Sequence, residues 1–221
     1  MLPEIGEEGQ RKLARAKVLV VGLGGLGCPV CLYLTGAGTG HIGLCDSDTV
    51  SLSNLQRQTL YSEETVGQPK VSAAHRRLSS LCSDTKFELF SSGLTPDNAE
   101  RIISQYDLVV DCCDNYATRY LIDDVCHKLS KPWVFGAIGQ FEGRVSTFLP
   151  GGIRYSDIFA DRAELESMPP SRGGVLGAVP GIVGAIEAAE AIKIICGFGE
   201  LLSGLLLFID VRTMTFNKIE I

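Results

Sequence analysis

Apolar residues along the chain form short continuous runs that alternate with longer segments of mixed character. Such runs predict buried parallel strands, because a strand covered on both faces is apolar throughout. The predicted strands of the first two thirds are 17–21, 41–45, 86–90, 108–112 and 133–138. The predicted helices are 25–38, 70–81, 95–105 with Thr95 as N-cap, and 117–129. This alternation predicts an α/β fold with a doubly wound, mainly parallel Rossmann-like sheet.

The pattern changes after about residue 140. Residues 141–149 alternate between apolar and polar, which predicts an antiparallel strand at the edge of the sheet. Residues 151–177 are rich in Gly, Pro, Ser and charges and predict a long crossover loop. A helix at 182–196 and antiparallel strands at 205–211 and 214–221 are expected to follow. We therefore expect a nucleotide-binding Rossmann-like region over 1–150, with the crossover loop, helix and C-terminal strands of the same domain over 151–221.

Composition excludes several classes of function. The 221 residues are 45% apolar and suit one domain, but no apolar run approaches the roughly 18 residues of a membrane span. The acidic start is unlike a signal peptide, and the eight cysteines are irregularly spaced, so we expect a reduced, cytoplasmic protein. The net charge of −6 disfavours nucleic acid as a partner.

A glycine-rich turn joins the first predicted strand to the first helix. Gly22, Gly24 and Gly27 have the spacing G-x-G-x-x-G with Gly25 between them, and Asp46 ends the next strand. Glycines let the backbone approach phosphates at a helix N-terminus, and a carboxylate accepts hydrogen bonds from ribose hydroxyls. The same spacing serves NAD, FAD and ATP, so this motif predicts nucleotide binding and leaves the nucleotide open.

The segment after Asp46 narrows the choice. Residues 46–58 are polar and include Arg57, where a dehydrogenase would normally continue to its next helix. With Lys70, residues 111–115 and the glycine turn, this segment closely resembles the ThiF/MoeB/HesA family, relatives of ubiquitin-activating enzymes. The resemblance covers nearly the whole chain, and the string 52–58 and the Gly-Gly-Leu-Gly turn are its most specific parts.

The resemblance implies ATP and Mg²⁺ as cofactors, and adenylation of the C-terminal Gly-Gly carboxylate of a small ubiquitin-like sulfur carrier (ThiS-like or MoaD-like) with release of pyrophosphate. It also implies a homodimer. Arg57, Lys70 and Asp114 match catalytic positions, and Asp114 matches the magnesium-associated position. The matching ATP-binding positions are Gly22, Gly24, Gly25, Gly27, Asp46, Asp48, Ser53, Asn54, Leu55, Gln56, Arg57, Lys70, Asp114 and Asn115. Positive charge is needed there because an anionic carboxylate must attack an anionic α-phosphate.

The same residues also have purely structural interpretations. Lys70 near a helix start could be a solvated side chain, Arg57 a partner in a surface ion pair, and Asp114 with Asn115 an N-cap of the following helix. Their joint occurrence in one order favours the functional interpretation.

The second half departs from the family pattern in two places. Where relatives often carry a cysteine in the crossover loop, residues 168–177 contain none, and Ser171 could not carry a thioester or persulfide. Sulfur would then come from another protein or another thiol. Where many relatives have the first Cys-x-x-Cys pair of a structural zinc site, this chain has residues 154–157 without cysteine, so zinc is not expected. Cys28 and Cys31 are expected to pack, with some thiolate character at Cys28 because it lies near a helix N-terminus.

Three other functions remain open. An NAD-dependent oxidoreductase is supported by the glycine motif and Asp46. A tRNA-modifying adenylating dehydratase is disfavoured by the acidic charge. A non-catalytic scaffold is suggested by the missing loop cysteine and by a start at Leu2, just after the arginine-containing segment with which relatives usually begin. Residues 139–145, with Phe141 and Arg144, and the C-terminal region are the expected docking surface for the carrier protein.

Overall fold

The structure is a computed structural model, which describes residues 2–168 and 173–221. Its strands are β1 (Lys17–Val21), β2 (His41–Cys45), β3 (Lys86–Phe90), β4 (Leu108–Asp111), β5 (Trp133–Gly139), β6 (Glu142–Phe148), β7 (Leu205–Asp210) and β8 (Thr215–Glu220). They form one sheet in the order β3-β2-β1-β4-β5-β6-β7-β8. The first five strands are parallel and the last three are antiparallel, which confirms the predicted fold class.

The helices of the described residues are α1 (Gly6–Arg15), α2 (Gly27–Gly36), α3 (Lys70–Ser79), α4 (Ala99–Ile103), α5 (Tyr116–Lys128), α6 (Tyr155–Ile158), α7 (Arg162–Ser167) and α8 (Ala178–Cys196). Short 3₁₀ helices lie at Leu52–Asn54 and Glu63–Thr65. None of these helices is long and apolar enough to span a bilayer. The sequence pattern did not predict α1, because only Gly9 and Leu13 of that helix are buried.

Three local predictions differ from the structure. Thr95 does not cap a helix: residues 96–98 form a turn, and the Asn98 side chain accepts a hydrogen bond from the Thr95 N–H at 2.8 Å before α4 begins. Strand β6 is antiparallel as expected, but it lies inside the sheet because β7 and β8 extend beyond it. The region predicted as one long loop also contains α6 and α7.

The sheet separates two apolar cores, as expected for a doubly wound fold. Val18 and Val20 of β1 belong to the core packed against α2, α3 and α8. Leu19 and Val21 belong to the core on the opposite face, packed against α4 and α5. Side chains of a strand point alternately to its two faces, so β1 contributes to both cores. Because β1 lies between β2 and β4, the loops after these three strands meet at one edge of the sheet, where ligands bind in folds of this kind.

Candidate nucleotide-binding site

In the turn between β1 and α2 the backbone packs so closely that two of the glycines leave no room for a side chain. Gly22 has φ +93°, and a Cβ on it would lie 2.5 Å from the carbonyl oxygen of Cys112 at the end of β4. A Cβ on Gly27 would lie 2.0 Å from the carbonyl oxygen of Gly22. Backbone packing between β1, β4 and α2 therefore requires the first and last glycines of the motif, whereas a Cβ on Gly24 would meet only the Gln58 side chain at 3.6 Å.

The same turn presents unused hydrogen-bond donors. Among the described residues, the amides of Gly24, Gly25 and Leu26 donate no backbone hydrogen bond. They come directly before the N-terminus of α2, where the helix dipole favours negative charge. Free amides in this position form a binding site for an anion such as a phosphate group.

Asp46 is fixed at the end of β2 by two backbone donors. Its Oδ2 accepts the Leu23 N–H at 2.7 Å, and its Oδ1 accepts the Asp48 N–H at 2.7 Å. The carboxylate is thus held beside the glycine turn, at the position expected for a ribose contact. Each oxygen retains a second lone pair for a ligand hydroxyl.

Lys70 is buried at the start of α3 rather than solvated. The residue is 5% exposed, its Nζ donates to Asp48 Oδ2 at 2.9 Å, and the Nζ lies 3.9 Å from Asp46 Oδ2. The interpretation of Lys70 as a solvated side chain is therefore wrong. An ammonium group carries three N–H donors, so this pairing leaves donors for a phosphate oxygen.

Arg57 lies next to the turn and has no carboxylate partner in the part of the chain that the structure describes. One of its guanidinium nitrogens donates to the Ser53 carbonyl oxygen at 3.3 Å, and its Cδ lies 3.7 Å from the place of a Cβ on Gly25. Within the described part of the chain Arg57 forms no ion pair, so its interpretation as a surface ion-pair partner is wrong. Its charge remains available to an anion at the turn.

The other predicted residues of this segment have local partners. Asn54 Oδ1 accepts the Ser51 N–H at 3.2 Å, and Ser53 Oγ lies 3.0 Å from Ser51 Oγ. Leu55 packs partly buried against the core of α2 and α3. Gln56 is close to the start of α8, since its carbonyl oxygen lies 2.2 Å from the place of a Cβ on Gly177. The structure thus brings Arg57 to the turn and places Gln56 beside α8; the predicted nucleotide contacts of residues 53–56 stay predictions.

Two neighbouring predicted residues differ in what they do. Asn115 is the N-cap of α5, with its Oδ1 accepting the Thr118 N–H at 2.9 Å, so the capping interpretation holds for Asn115. Asp114 is exposed and, among the described residues, its side chain has no hydrogen bond or ion pair. An exposed carboxylate next to the end of β4 is free to contact a ligand at the glycine turn.

Three residues that the sequence reasoning missed support this site. Arg119 is buried and donates to Asp111 Oδ2 and to the carbonyl oxygen of Cys113, each at 2.9 Å, which fixes the backbone before Asp114. Tyr61 donates its hydroxyl to the Leu23 carbonyl oxygen at 2.8 Å, and burial raises the pKa of this phenol well above its usual value, so it remains a donor. The third, Gln58, is 3% exposed. In the sequence, these are single polar residues within a predicted helix or a polar segment. Such residues are common on protein surfaces, so their position alone could not have identified these contacts.

The cysteines of α2 pack inside the protein. Cys28 and Cys31 are both fully buried, which agrees with the packing interpretation. Burial raises the pKa of Cys28 to about 12, so the expected thiolate character at this residue is wrong. Its Sγ–H faces the Leu23 carbonyl oxygen at 3.7 Å. The helix dipole cannot stabilise a thiolate here because the desolvation cost is larger.

Ion pairs hold the beginning of the crossover region, where many relatives were expected to have cysteines. A guanidinium nitrogen of Arg154 donates to Asp123 Oδ2 at 2.8 Å and to Asp124 Oδ1 at 2.7 Å. Asp157 Oδ2 accepts the Arg154 N–H at 2.9 Å. Ser171, the loop residue that could not carry a thioester or persulfide, lies outside the described residues.

The sequence of this chain matches a protein family and is similar to named proteins. The model of the ThiF family matches residues 1–221. The chain is 48% identical over 223 residues to "Adenylyltransferase and sulfurtransferase MOCS3" of Culex quinquefasciatus, covering 100% of this chain and 51% of that protein. It is 44% identical over 228 residues to the "Sulfur carrier protein adenylyltransferase" of Thermus thermophilus, covering 100% of this chain and 84% of that protein. The chain thus spans about half the length of the first relative and most of the second.

Solved structures support the fold. A crystal structure of E. coli MccB superposes with a TM-score of 0.85 at 22% identity, covering 97% of this chain and 67% of that chain. The structure of PaaA superposes with a TM-score of 0.81 at 23% identity, with the same coverage. At this level of identity the likeness concerns the arrangement of helices and strands.

Proposed function

The chain belongs to the ThiF family, and from this premise we propose that it uses ATP to adenylate the C-terminal carboxylate of a small sulfur-carrier protein. One observation carries the proposal: the free amides of the glycine turn lie beside the Arg57 side chain, which has no carboxylate partner among the described residues. In a chain of net charge −6, this concentration of donors favours a ligand that carries phosphate groups. The names of the relatives support the same reaction: both are adenylyltransferases, and that of Thermus thermophilus is named for a sulfur carrier protein.

The proposed reaction needs no nucleophile from the protein. A carboxylate oxygen of the carrier forms a bond with the α-phosphorus, the bond from that phosphorus to the bridging oxygen of the β-phosphate breaks, and pyrophosphate leaves with the electron pair. Arg57 and Lys70 offset the repulsion between the two anions and stabilise the charge of the leaving group. Catalysis then depends mainly on positioning and electrostatics.

Magnesium fits the same edge of the sheet. Mg²⁺ is commonly held by one or two carboxylates together with phosphates of the substrate, and Asp114 is an exposed carboxylate without a partner among the described residues. We propose Asp114 as the residue that contacts the ion. When bound, the ion would supply positive charge toward the phosphate oxygens.

The carrier protein is proposed to dock on the antiparallel half of the sheet. Arg144 of β6 and Phe208 of β7 are paired in register, with the guanidinium 5.8 Å from the centre of the ring. Ile219 of β8 is 49% exposed. It lies on the same face of the sheet as Phe208, because it pairs with Leu206 of β7, two residues before Phe208. Exposed apolar and aromatic residues with an arginine are typical of the centre of a protein interface. Ile219→Lys should raise KM for the carrier and leave KM for ATP unchanged.

A homodimer, implied by the family resemblance, has a suitable surface near the site. A groove of about 700 Å³ lies between α2 and α8, lined mostly by apolar residues that include Leu32 and Ile182. Tyr33, on its rim, is 57% exposed. We propose that this face is the dimer contact. Light scattering should show a dimer for the parent chain and a monomer for Tyr33→Glu.

The decisive test is exchange between ATP and labelled pyrophosphate in the presence of a carrier that ends in Gly-Gly. Carriers of both the thiamine and the molybdopterin type should be tried. Exchange should require the free carboxylate and disappear when the last glycine of the carrier is removed. ATP binding without exchange, for any carrier, would favour a scaffold, whereas tight binding of NAD in place of ATP would favour an oxidoreductase. Exchange stimulated by tRNA would favour the dehydratase.

The step after adenylation is proposed to take its sulfur from outside residues 1–221. The crossover loop contains no cysteine, and of the eight cysteines only Cys82 is not buried. Cys82 lies beyond the C-terminal end of α3, whereas Lys70 of the site lies at the start of that helix. A separate persulfide donor, which displaces AMP from the adenylated carrier, and a thiol that reduces the resulting acyl disulfide should therefore be required to form the thiocarboxylate.

A further inference from the structure

One buried side chain at the glycine turn has an unused hydrogen-bonding group. Gln58 is 3% exposed, and its Oε1 is buried without a hydrogen-bond partner in the described part of the chain. Buried amide groups in folded proteins are nearly always hydrogen-bonded. An unpaired amide beside a binding site therefore indicates a partner that arrives with the ligand.

The backbone around Gln58 directs this amide to the turn. Its N–H donates to the Asn54 carbonyl oxygen at 3.0 Å, and its carbonyl oxygen accepts the Tyr61 N–H at 3.2 Å. The Gln58 Nε2 lies 3.6 Å from the place of a Cβ on Gly24. Gln58 is thus held between two residues that contact the same turn. Arg57 lies next to Gly25, and the Tyr61 hydroxyl donates to the carbonyl oxygen of Leu23.

We propose that Gln58 is a further nucleotide-binding residue that contacts a phosphate group on the turn. Its Nε2–H would donate to a phosphate oxygen that also accepts from the free amides of Gly24 and Gly25. Its Oε1 would accept from a water molecule or hydroxyl group that enters with the nucleotide. Arg57 attracts the phosphate by its charge. The uncharged amide of Gln58 adds a directional hydrogen bond, which fixes the orientation of the phosphate. This inference rests on the proposed ATP site.

Calorimetric titration of adenosine and of ATP with magnesium tests the proposal. Gln58→Met keeps the length of the side chain and removes its hydrogen bonds. It should weaken ATP binding about tenfold or more, the size expected for a hydrogen bond to a charged group. Adenosine should bind the variant and the parent equally. Gln58→Glu should weaken ATP binding further, because a carboxylate repels phosphate.

The control is Gln105→Met. Gln105 is an exposed glutamine just beyond α4, and its side-chain amide donates to the Arg101 carbonyl oxygen at 2.9 Å. This variant should bind both ligands like the parent chain. If Gln58→Met does not fold, Gln58→Asn keeps the amide at a shorter reach and the same ratio of affinities is measured. Equal ATP affinity in the variant and the parent, or an equal loss for adenosine and ATP, overturns the role of Gln58. A parent chain that binds no ATP overturns the proposed function instead.

Discussion

Glu187, in the middle of α8, has a fully buried carboxyl group with few partners. Its Oε1 lies 2.3 Å from the place of a Cβ on Gly136, so the group fills space that the glycine of β5 leaves open. The Cys112 thiol faces Oε1 at 3.9 Å, and Oε2 has no partner in the described residues. Burial raises the pKa of Glu187 well above its usual value; the charge of Asp111 adds to this, and that of Arg119 opposes it. We therefore expect Glu187 to be protonated in the native state at neutral pH.

This protonation makes the free energy of unfolding depend on pH. The unfolded chain releases the proton above about pH 4.3, whereas the native chain keeps it. The raised pKa thus contributes stability that is complete below about pH 4.3 and is lost as pH rises toward the native pKa. While the native carboxyl stays protonated, the loss is about 1.4 kcal/mol per pH unit. Glutamine has the same shape and no titrating proton, so Glu187→Gln should gain stability relative to the parent between pH 5.5 and 7.5, by at most about 2.7 kcal/mol over these two pH units.

Urea or thermal unfolding of both proteins at several pH values measures this difference. A gain of this size corresponds to roughly 5 to 11 °C in Tm for a domain of this length. The matched control is Glu190→Gln on the same helix. Glu190 is also buried, but its carboxylate accepts from the Thr147 hydroxyl at 2.6 Å and the Leu202 N–H at 2.8 Å and pairs with Lys193. Glu190→Gln should destabilise at every pH in this range. Parallel pH profiles for Glu187→Gln and the parent would refute the reasoning.

Three further substitutions test the nucleotide site. Arg57→Ala should lower ATP–pyrophosphate exchange by about a hundredfold or more and leave Tm unchanged. The control is Arg77→Ala, at an exposed arginine of α3, which should leave exchange intact. Equal effects of the two substitutions on exchange would remove Arg57 from the site. Asp114→Asn should reduce exchange by a similar factor and raise the magnesium concentration needed for the half-maximal rate. The control is Asp84→Asn, at an exposed aspartate before β3, which should change neither quantity. An unchanged magnesium dependence in Asp114→Asn would contradict the assignment of Asp114. Gly27→Ala should lower both Tm and ATP affinity, because the added Cβ would lie 2.0 Å from a carbonyl oxygen, and a normal melting curve would show that the turn can relax.

The sequence by itself determined the features that depend on local pattern. Strands β1, β2 and β3 begin and end where the sequence predicted. For β1 and β2 the reason is that a strand buried on both faces is apolar almost throughout, so its ends are clear in the sequence. β3 is a half-exposed edge strand and was predicted from a mixed run. The glycine turn and Asp46 at the end of β2 were also identified, because a tight strand-to-helix connection requires glycine at fixed spacing. The family resemblance added the remaining predicted site residues.

Only the tertiary structure decided what those residues contact. It placed Lys70 between Asp46 and Asp48, and it brought Gln58 against the glycine turn. It also separated Asn115, which caps α5, from Asp114, whose side chain has no partner among the described residues. The contacts of Lys70 and Gln58 join residues far apart in the chain, and they depend on how strands and helices pack. Hydrophobic periodicity indicates the buried face of an element and carries no information about the partner of a polar side chain.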